Sequence, residues 1–277
     1  MRPNRSPVTA CVALLLSLAV SVSAAAAPDN EHKLRTIIEG EHRSEADRAR
    51  DVHRHPVETL LWMGIRDDMT VVEVTPGAGW YTDILAPFLR DHGQYYAAGF
   101  DPDSSVGFFR NAALRFRQKV EADPALYGDV KITVLAPPAH TRIAPPESAD
   151  MVLTFRNVHN WMAAGTTEAI FDAVYQALKP GGILGIVEHR GDPERPQDPK
   201  ARFGYVNEEY VIARAEAAGF EFVDRSDINA NPRDTKDHPE GVWTLPPTLR
   251  LGDDDRERYL AIGESDRMTL KFVKPLR

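Results

Sequence analysis

Cysteine is almost missing from this chain: among 277 residues only Cys11 carries a thiol. Because Cys11 lies inside a leading apolar stretch, the rest of the chain can form no disulfide, no cysteine-ligated metal site and no thiol nucleophile. Stability must come from a buried core, and a chain of this length can build one. Positive charge is also in short supply, with 33 Lys and Arg against 41 Asp and Glu, a formal net charge of -8. Nucleic acid and anionic membranes need clustered positive charge, so small molecules are the expected partners and nucleic acid is not. Internal repeats are absent, and the one long apolar run, Ala10 to Val20, is confined to the start of the chain.

That start has the layout of a secretory signal. Arg2 and Arg5 precede the apolar run, and the small residues of Val22 to Ala27 follow it. The run is short for a membrane span. Residues 1–26 are therefore expected to be a cleaved signal peptide, leaving a periplasmic or secreted chain without stable membrane insertion. Losing Arg2 and Arg5 moves the formal balance from -8 to -10. Residues 27–277 are expected to form a single domain, with 27–65 a helical extension and 66–277 its core.

Between Asn30 and Arg54 the spacing of Glu41, Arg43, Glu45, Asp47, Arg48 and Arg50 suits a solvated helix face, an N-terminal helical cap. A second helix starts near Pro56. Short β-prone runs then alternate with helical patterns. Strands are predicted at Thr70 to Val74, Tyr95 to Phe100, Val130 to Leu135, Met151 to Phe155 and Ile183 to Glu188. Helices are predicted after Gly79, over Ser105 to Val120 and over Thr167 to Leu178, with Pro87 kinking or shortening the first. Lys179-Pro180-Gly181-Gly182 reads as the turn into the fifth strand, and Asn207 as the cap of a helix running to Ala218. Phe220 to Val223 and Met268 to Val273 have no helical pattern between them, so they pair as antiparallel neighbours. The fold class is thus α/β: a Rossmann-like, doubly wound, mostly parallel seven-stranded sheet with one antiparallel strand. Two polar stretches, Arg190 to Arg202 and Asn229 to Leu251, are expected as surface loops that act as a lid or select substrate.

The strongest chemical signal is Glu73-Val74-Thr75-Pro76-Gly77-Ala78-Gly79, a strand end, a glycine turn and a helix start. Glycines there let a ligand approach the backbone, and a helix start offers free N–H groups. Glu73 can meet a cationic or hydroxyl-bearing group. The plainer reading of the same run is a tight turn packing strand on helix. A dinucleotide-binding turn, G-x-G-x-x-G, is disfavoured because Thr82 stands at the third glycine and Glu73 would repel phosphates. Asp101, at the end of the second strand, can accept both hydroxyls of a ribose. Asp101-Pro102-Asp103-Ser104 is also an ordinary turn and cap sequence.

The order of elements, the Glu73 to Gly79 loop, Asp101 and Leu178-Lys179-Pro180-Gly181-Gly182 resemble the class I S-adenosylmethionine-dependent methyltransferases. More narrowly, His55-Pro56-Val57-Glu58-Thr59-Leu60, the Pro-Gly-x-Gly-Trp-Tyr run and Leu270-Lys271-Phe272-Val273-Lys274-Pro275 look like a subgroup of exported bacterial methyltransferase-like proteins. The resemblance implies S-adenosyl-L-methionine as cofactor, methyl transfer to a small-molecule acceptor as activity, and Glu73, Thr75, Gly77, Gly79, Asp101 and Asn157 as cofactor contacts. The family's loop is acid-x-Gly-x-Gly-x-Gly, and this chain places Thr75 at its first glycine. Around Ala136-Pro137-Pro138-Ala139, where many members carry an acid near the adenine, this chain has none. Those two departures favour the rival reading, an exported noncatalytic module that keeps the fold and binds another ligand.

Phe155-Arg156-Asn157-Val158-His159-Asn160-Trp161 follows the fourth strand, whose carboxyl end faces the ligand crevice in such folds. His159 is the first candidate for a base that deprotonates an acceptor, and His189, after the fifth strand, is the second. A lone loop histidine is also commonly a simple hydrogen-bonding residue. His53-Arg54-His55 lacks a third ligand, so no metal site is expected.

Overall fold

The structure is a computed structural model that describes residues 27–276. The expected signal peptide, 1–26, lies outside the described residues. Among them no helix is long and apolar enough to cross a membrane.

Seven strands form one sheet: β1 (Thr70–Val74), β2 (Gln94–Gly99), β3 (Lys131–Val134), β4 (Ala149–Phe155), β5 (Leu178–His189), β6 (Glu221–Ser226) and β7 (Arg267–Val273). Their order is β3-β2-β1-β4-β5-β7-β6. β3, β2, β1, β4 and β5 are mutually parallel, while β7 runs antiparallel to both β5 and β6. The reversed strand is therefore last but one in the sheet rather than its edge.

Neighbouring residues of β1 point to opposite faces, and both faces are apolar, which is what a strand covered on two sides requires. Val71 packs with Met151, Leu153 and Val187 beneath α1 (Ala27–Ile38), α4 (Pro56–Met63) and α5 (Thr82–Leu89). Val72 and Val74 pack with Val152, Leu184 and Ile186 on the other face, beneath α8 (Val158–Ala164), α9 (Thr167–Ala177) and α10 (Glu208–Ala217). Each fully buried aliphatic or aromatic side chain contributes about 1.5–3 kcal/mol.

The N-terminal cap is helical, but its middle is two single turns, α2 (Glu45–Arg48) and α3 (Asp51–Arg54). Its charged residues do not all face solvent. Arg43 is 1% exposed and Arg54 3% exposed. Arg43 is neutralised by a two-pronged bond to Asp51 at 2.7 and 2.8 Å, so helical spacing alone mistook an internal ion pair for a wet surface. Pro87 does not stop α5, which continues to Leu89. A proline at this position cannot donate to the carbonyl of Asp83, and His42 Nε2 donates to that oxygen instead at 2.9 Å. Gly181 and Gly182 lie inside β5, beside a register shift against β4 at Ala149 and Met151, and α9 has already ended at Ala177. Asn207 does precede α10, yet its side chain donates to the Arg195 carbonyl rather than capping the helix. Three helices escape the sequence periodicity: α7 (Pro124–Tyr127), α8 and α11 (Arg256–Ile262). The remaining helix, α6 (Gly107–Ala122), buries only Phe116 and Val120.

Candidate active site

The carboxyl ends of β1 and β4 open a crevice, and each strand is followed by a non-glycine residue with left-handed backbone. Thr75 has φ 54° and Arg156 φ 61°. Such values are strained for a β-branched residue. Thr75 is held there by its N–H donating to Ala98 at 2.8 Å, and Arg156 by its N–H donating to Val187 at 2.7 Å. Gly77 (φ 62°) and Gly79 (φ 88°) turn the chain into α5. A Cβ at Gly77 would meet nothing within 4 Å, so the turn faces open space, whereas one at Gly79 would press on the Lys119 side chain.

Glu73 sits beneath this turn and accepts hydrogen bonds from Tyr95 and Thr82. Thr82, the residue that breaks the dinucleotide pattern, therefore anchors the acid. Burial raises the Glu73 carboxyl to about 7 against the pull of those bonds. Asn157 donates its amide to the Val74 and Thr75 carbonyls and to Thr154, at 3.0, 3.4 and 3.1 Å, tying β4 to the end of β1. Its amide nitrogen is thus a positioning device for the turn.

His159 lies in the first turn of α8, not in a loop, and meets His189 with ring centroids 5.3 Å apart. Glu188, 0% exposed at the end of β5, joins them. Its Oε1 lies 3.0 Å from His159 Nδ1 and accepts the His189 backbone N–H at 2.7 Å, while Oε2 accepts the His159 N–H at 3.3 Å. A carboxylate on Nδ1 fixes that nitrogen as the protonated one and leaves Nε2 basic. His189 Nδ1 contacts Ser265 Oγ at 2.5 Å. Burial, then His159 and Arg267, hold His189 well below the ordinary imidazole range, so it is neutral. The three residues offer ligand atoms within 4.8 Å of one another. The cationic wall described next opposes a metal ion there.

Arg50, Arg54, Arg156 and Arg267 face the same cavity of about 340 Å³ as the histidines and the Gly77 turn. Arg50 and Arg54 come from the N-terminal cap. β7 runs backwards, so its first residue, Arg267, pairs with His189 at the carboxyl edge of the parallel strands. Glu264 is the one carboxylate within ion-pair distance of these guanidiniums among the described residues, touching Arg50, Arg54 and Arg267. Despite the cost of burial, Arg267, Arg50 and Arg54 hold it well below the usual carboxylate range. Trp80 lies under Arg54, 4.4 Å from ring centroid to guanidinium carbon, with Arg43 at 4.9 Å. Tyr81 stacks on Phe155 at 3.5 Å.

The polar segment 229–251 closes one side of the cavity with Val242, Trp243 and Pro246 to Thr248, and is tied down by Asn229, which donates to Thr59 and Thr269 at 2.9 Å. The other polar segment, 190–202, does not line this cavity. Asp101 stays outside it too, in the turn after β2, accepting the Asp103 N–H at 2.9 Å. Its neighbour Phe100 borders a second, apolar cleft of about 260 Å³ with Gly77, Phe108 and Phe116. Sequence reading thus located the turn and both histidines. It missed the arginines, Glu264 and the role of Glu188; the available signal was Arg156 immediately after β4, on the side of the sheet where ligands bind.

No protein-family model matches the chain, and no curated protein does. Solved structures do match. A SAM-dependent methyltransferase from Aquifex aeolicus is 17% identical with a TM-score of 0.52, the match covering 72% of this chain and 93% of that one. A Haemonchus contortus phosphoethanolamine N-methyltransferase in complex with S-adenosyl-L-methionine is 16% identical with a TM-score of 0.52, covering 80% of this chain and 52% of that one. The [4+2]-cyclase SpnF is 15% identical with a TM-score of 0.54, covering 81% and 82%. These likenesses show the fold: a Rossmann-like, mostly parallel seven-stranded sheet like that of the S-adenosylmethionine-dependent methyltransferases.

Proposed function

We propose that this protein transfers a methyl group from S-adenosylmethionine to a small acceptor held in the arginine- and histidine-lined cavity, after export by its leading segment. The supporting observation is that the open Gly77 turn and the Glu188–His159 pair border one cavity. The cradle fits the cofactor: Gly77 leaves space where any side chain would intrude, and Glu73, Thr75 and Gly79 shape the turn. Asp101 would take the ribose hydroxyls. The Phe100, Phe108 and Phe116 cleft would receive the purine by stacking, which substitutes for the acid missing near residues 136–139.

When bound, the cofactor supplies a methyl group made electrophilic by its sulfonium. The chain's own residues then supply mainly position. Asn157 fixes the turn. His159 Nε2 would take the acceptor's proton, leaving the acceptor's own lone pair free to receive the methyl group that the cofactor would supply. Glu188 orients His159 and balances the resulting imidazolium. His189, kept neutral, is the poorer base.

Calorimetric titration with S-adenosylhomocysteine tests this reading. Binding in the native protein, weakened about tenfold or more in Gly77→Ala and Asp101→Ala, is the expected result. Absence of binding, or equal affinity in all three proteins, rejects it.

A further inference from the structure

Four guanidiniums around one carboxylate leave the cavity wall with a large excess of positive charge. Arg54 and Arg267 are 3% and 2% exposed, and Arg54 Nε and Nη2, Arg267 Nε and Arg50 Nη2 are buried without a hydrogen-bond partner among the described residues. Arg156 makes no side-chain hydrogen bond among those residues. The other carboxylates nearby have partners of their own: Asp47, which also lines the cavity, accepts from Ser44, Asp83 meets Lys119 and Tyr127, Glu73 meets Tyr95 and Thr82, and Glu188 meets His159. Burial and then Arg156 push the Arg54 guanidinium down, and burial and then Arg267 push Arg156 down. Guanidinium keeps its proton in proteins, so a cluster of this kind is relieved by taking up an anion rather than by losing charge.

From this geometry we infer that the methyl acceptor is itself anionic, carrying a carboxylate or phosphate group that Arg156, Arg267 and Arg50 or Arg54 hold while its reacting atom lies beside His159. The acceptor role rests on the methyl-transfer reading. The cofactor's own carboxylate and Glu264 can offset two of the four positive charges, so about two charges are left for the acceptor to balance, shared among the guanidiniums that hold it. Planar arginine forks match either oxyanion, and an enclosed wall strengthens the attraction well beyond its value in water. A metal ion between His159, Glu188 and His189 would add charge of the wrong sign to the same space.

The test is a thermal-melting titration of the native protein with inorganic phosphate, succinate and uncharged succinamide at matched ionic strength, each with and without S-adenosylhomocysteine. At least one anion should raise the melting temperature while succinamide does not. Its apparent affinity should fall about tenfold or more in Arg156→Gln. A response to phosphate alone assigns a phosphorylated acceptor, and one to succinate alone a carboxylic acceptor. Arg50→Gln, whose side chain is partly exposed, provides a second variant should Arg156→Gln fold poorly. No response to either anion, or an unaltered response in the folded variants, overturns the inference. If S-adenosylhomocysteine still binds in that case, the methyl-transfer reading survives; if the anions bind and it does not, the anion site stands but its role as an acceptor site falls with that reading.

Discussion

His159 and Glu188 form a pair in which one carboxylate governs both a side chain and the backbone around it: Oε1 lies 3.0 Å from His159 Nδ1, and Oε2 accepts the His159 N–H. Catalysis through such a pair fails as a unit. Glu188→Gln should lower kcat about a hundredfold or more with a smaller change in KM, because the uncharged amide no longer stabilises a protonated imidazole. His159→Ala should cost a similar factor. The double variant should be little worse than either single one; losses that multiply would show that the two residues act separately.

Glu73 makes stability depend on pH. Its carboxyl is raised to about 7 from an ordinary 4.5 by burial, so the folded state favours the protonated form. The stabilisation is complete below pH 4.5 and is lost as pH rises through about 7, a swing of roughly 3 kcal/mol. Denaturant midpoints at pH 5 and pH 8 should differ accordingly in the native protein. Glu73→Gln, which cannot ionise, should remove most of that difference.

The pairing of His42 with Asp83 compensates for a proline. His42→Ala should destabilise the fold by about 1 kcal/mol by leaving the Asp83 carbonyl without its donor. In Pro87→Ala an intrahelical N–H can reach the same oxygen, so His42→Ala should cost less in that background. A double-mutant cycle measured by chemical denaturation reads the coupling, and strict additivity would refute the compensation.

Thr75 occupies a left-handed conformation at φ 54°. Relief of that strain by Thr75→Gly should outweigh the extra freedom glycine gives the unfolded chain, for a net gain of roughly 1 kcal/mol. A melting temperature that stays level or falls would mean that contacts of the threonine side chain matter more than its backbone.

Sheet and turn were readable because they rest on local pattern. Val71 and Val72 announce a strand buried on both faces, and Gly77 with Gly79 announces a turn that can approach a ligand. The cavity's charge was not readable in the same way. Arg50, Arg54, Arg156, Glu264 and Arg267 are scattered from one end of the fold to the other, and only the antiparallel course of β7 brings Arg267 beside the carboxyl ends of the parallel strands. Arg43 has the helical spacing of a hydrated face, and spacing cannot reveal that Trp80 and Asp51 will cover it. Helix α8 was hidden because its single buried face, with Val158, Trp161 and Met162, is only seven residues long.

Trp80 links these regions. Its ring lies against Arg43 and Arg54 and its Nε1 donates to the Asp47 carbonyl at 3.2 Å. Indole emission responds to charge held close to the ring, so an occupant that draws Arg54 towards itself alters the light this residue emits. Filling of the cavity should therefore be readable in the emission of Trp80, which sits where the N-terminal cap, the glycine turn and the arginine wall meet.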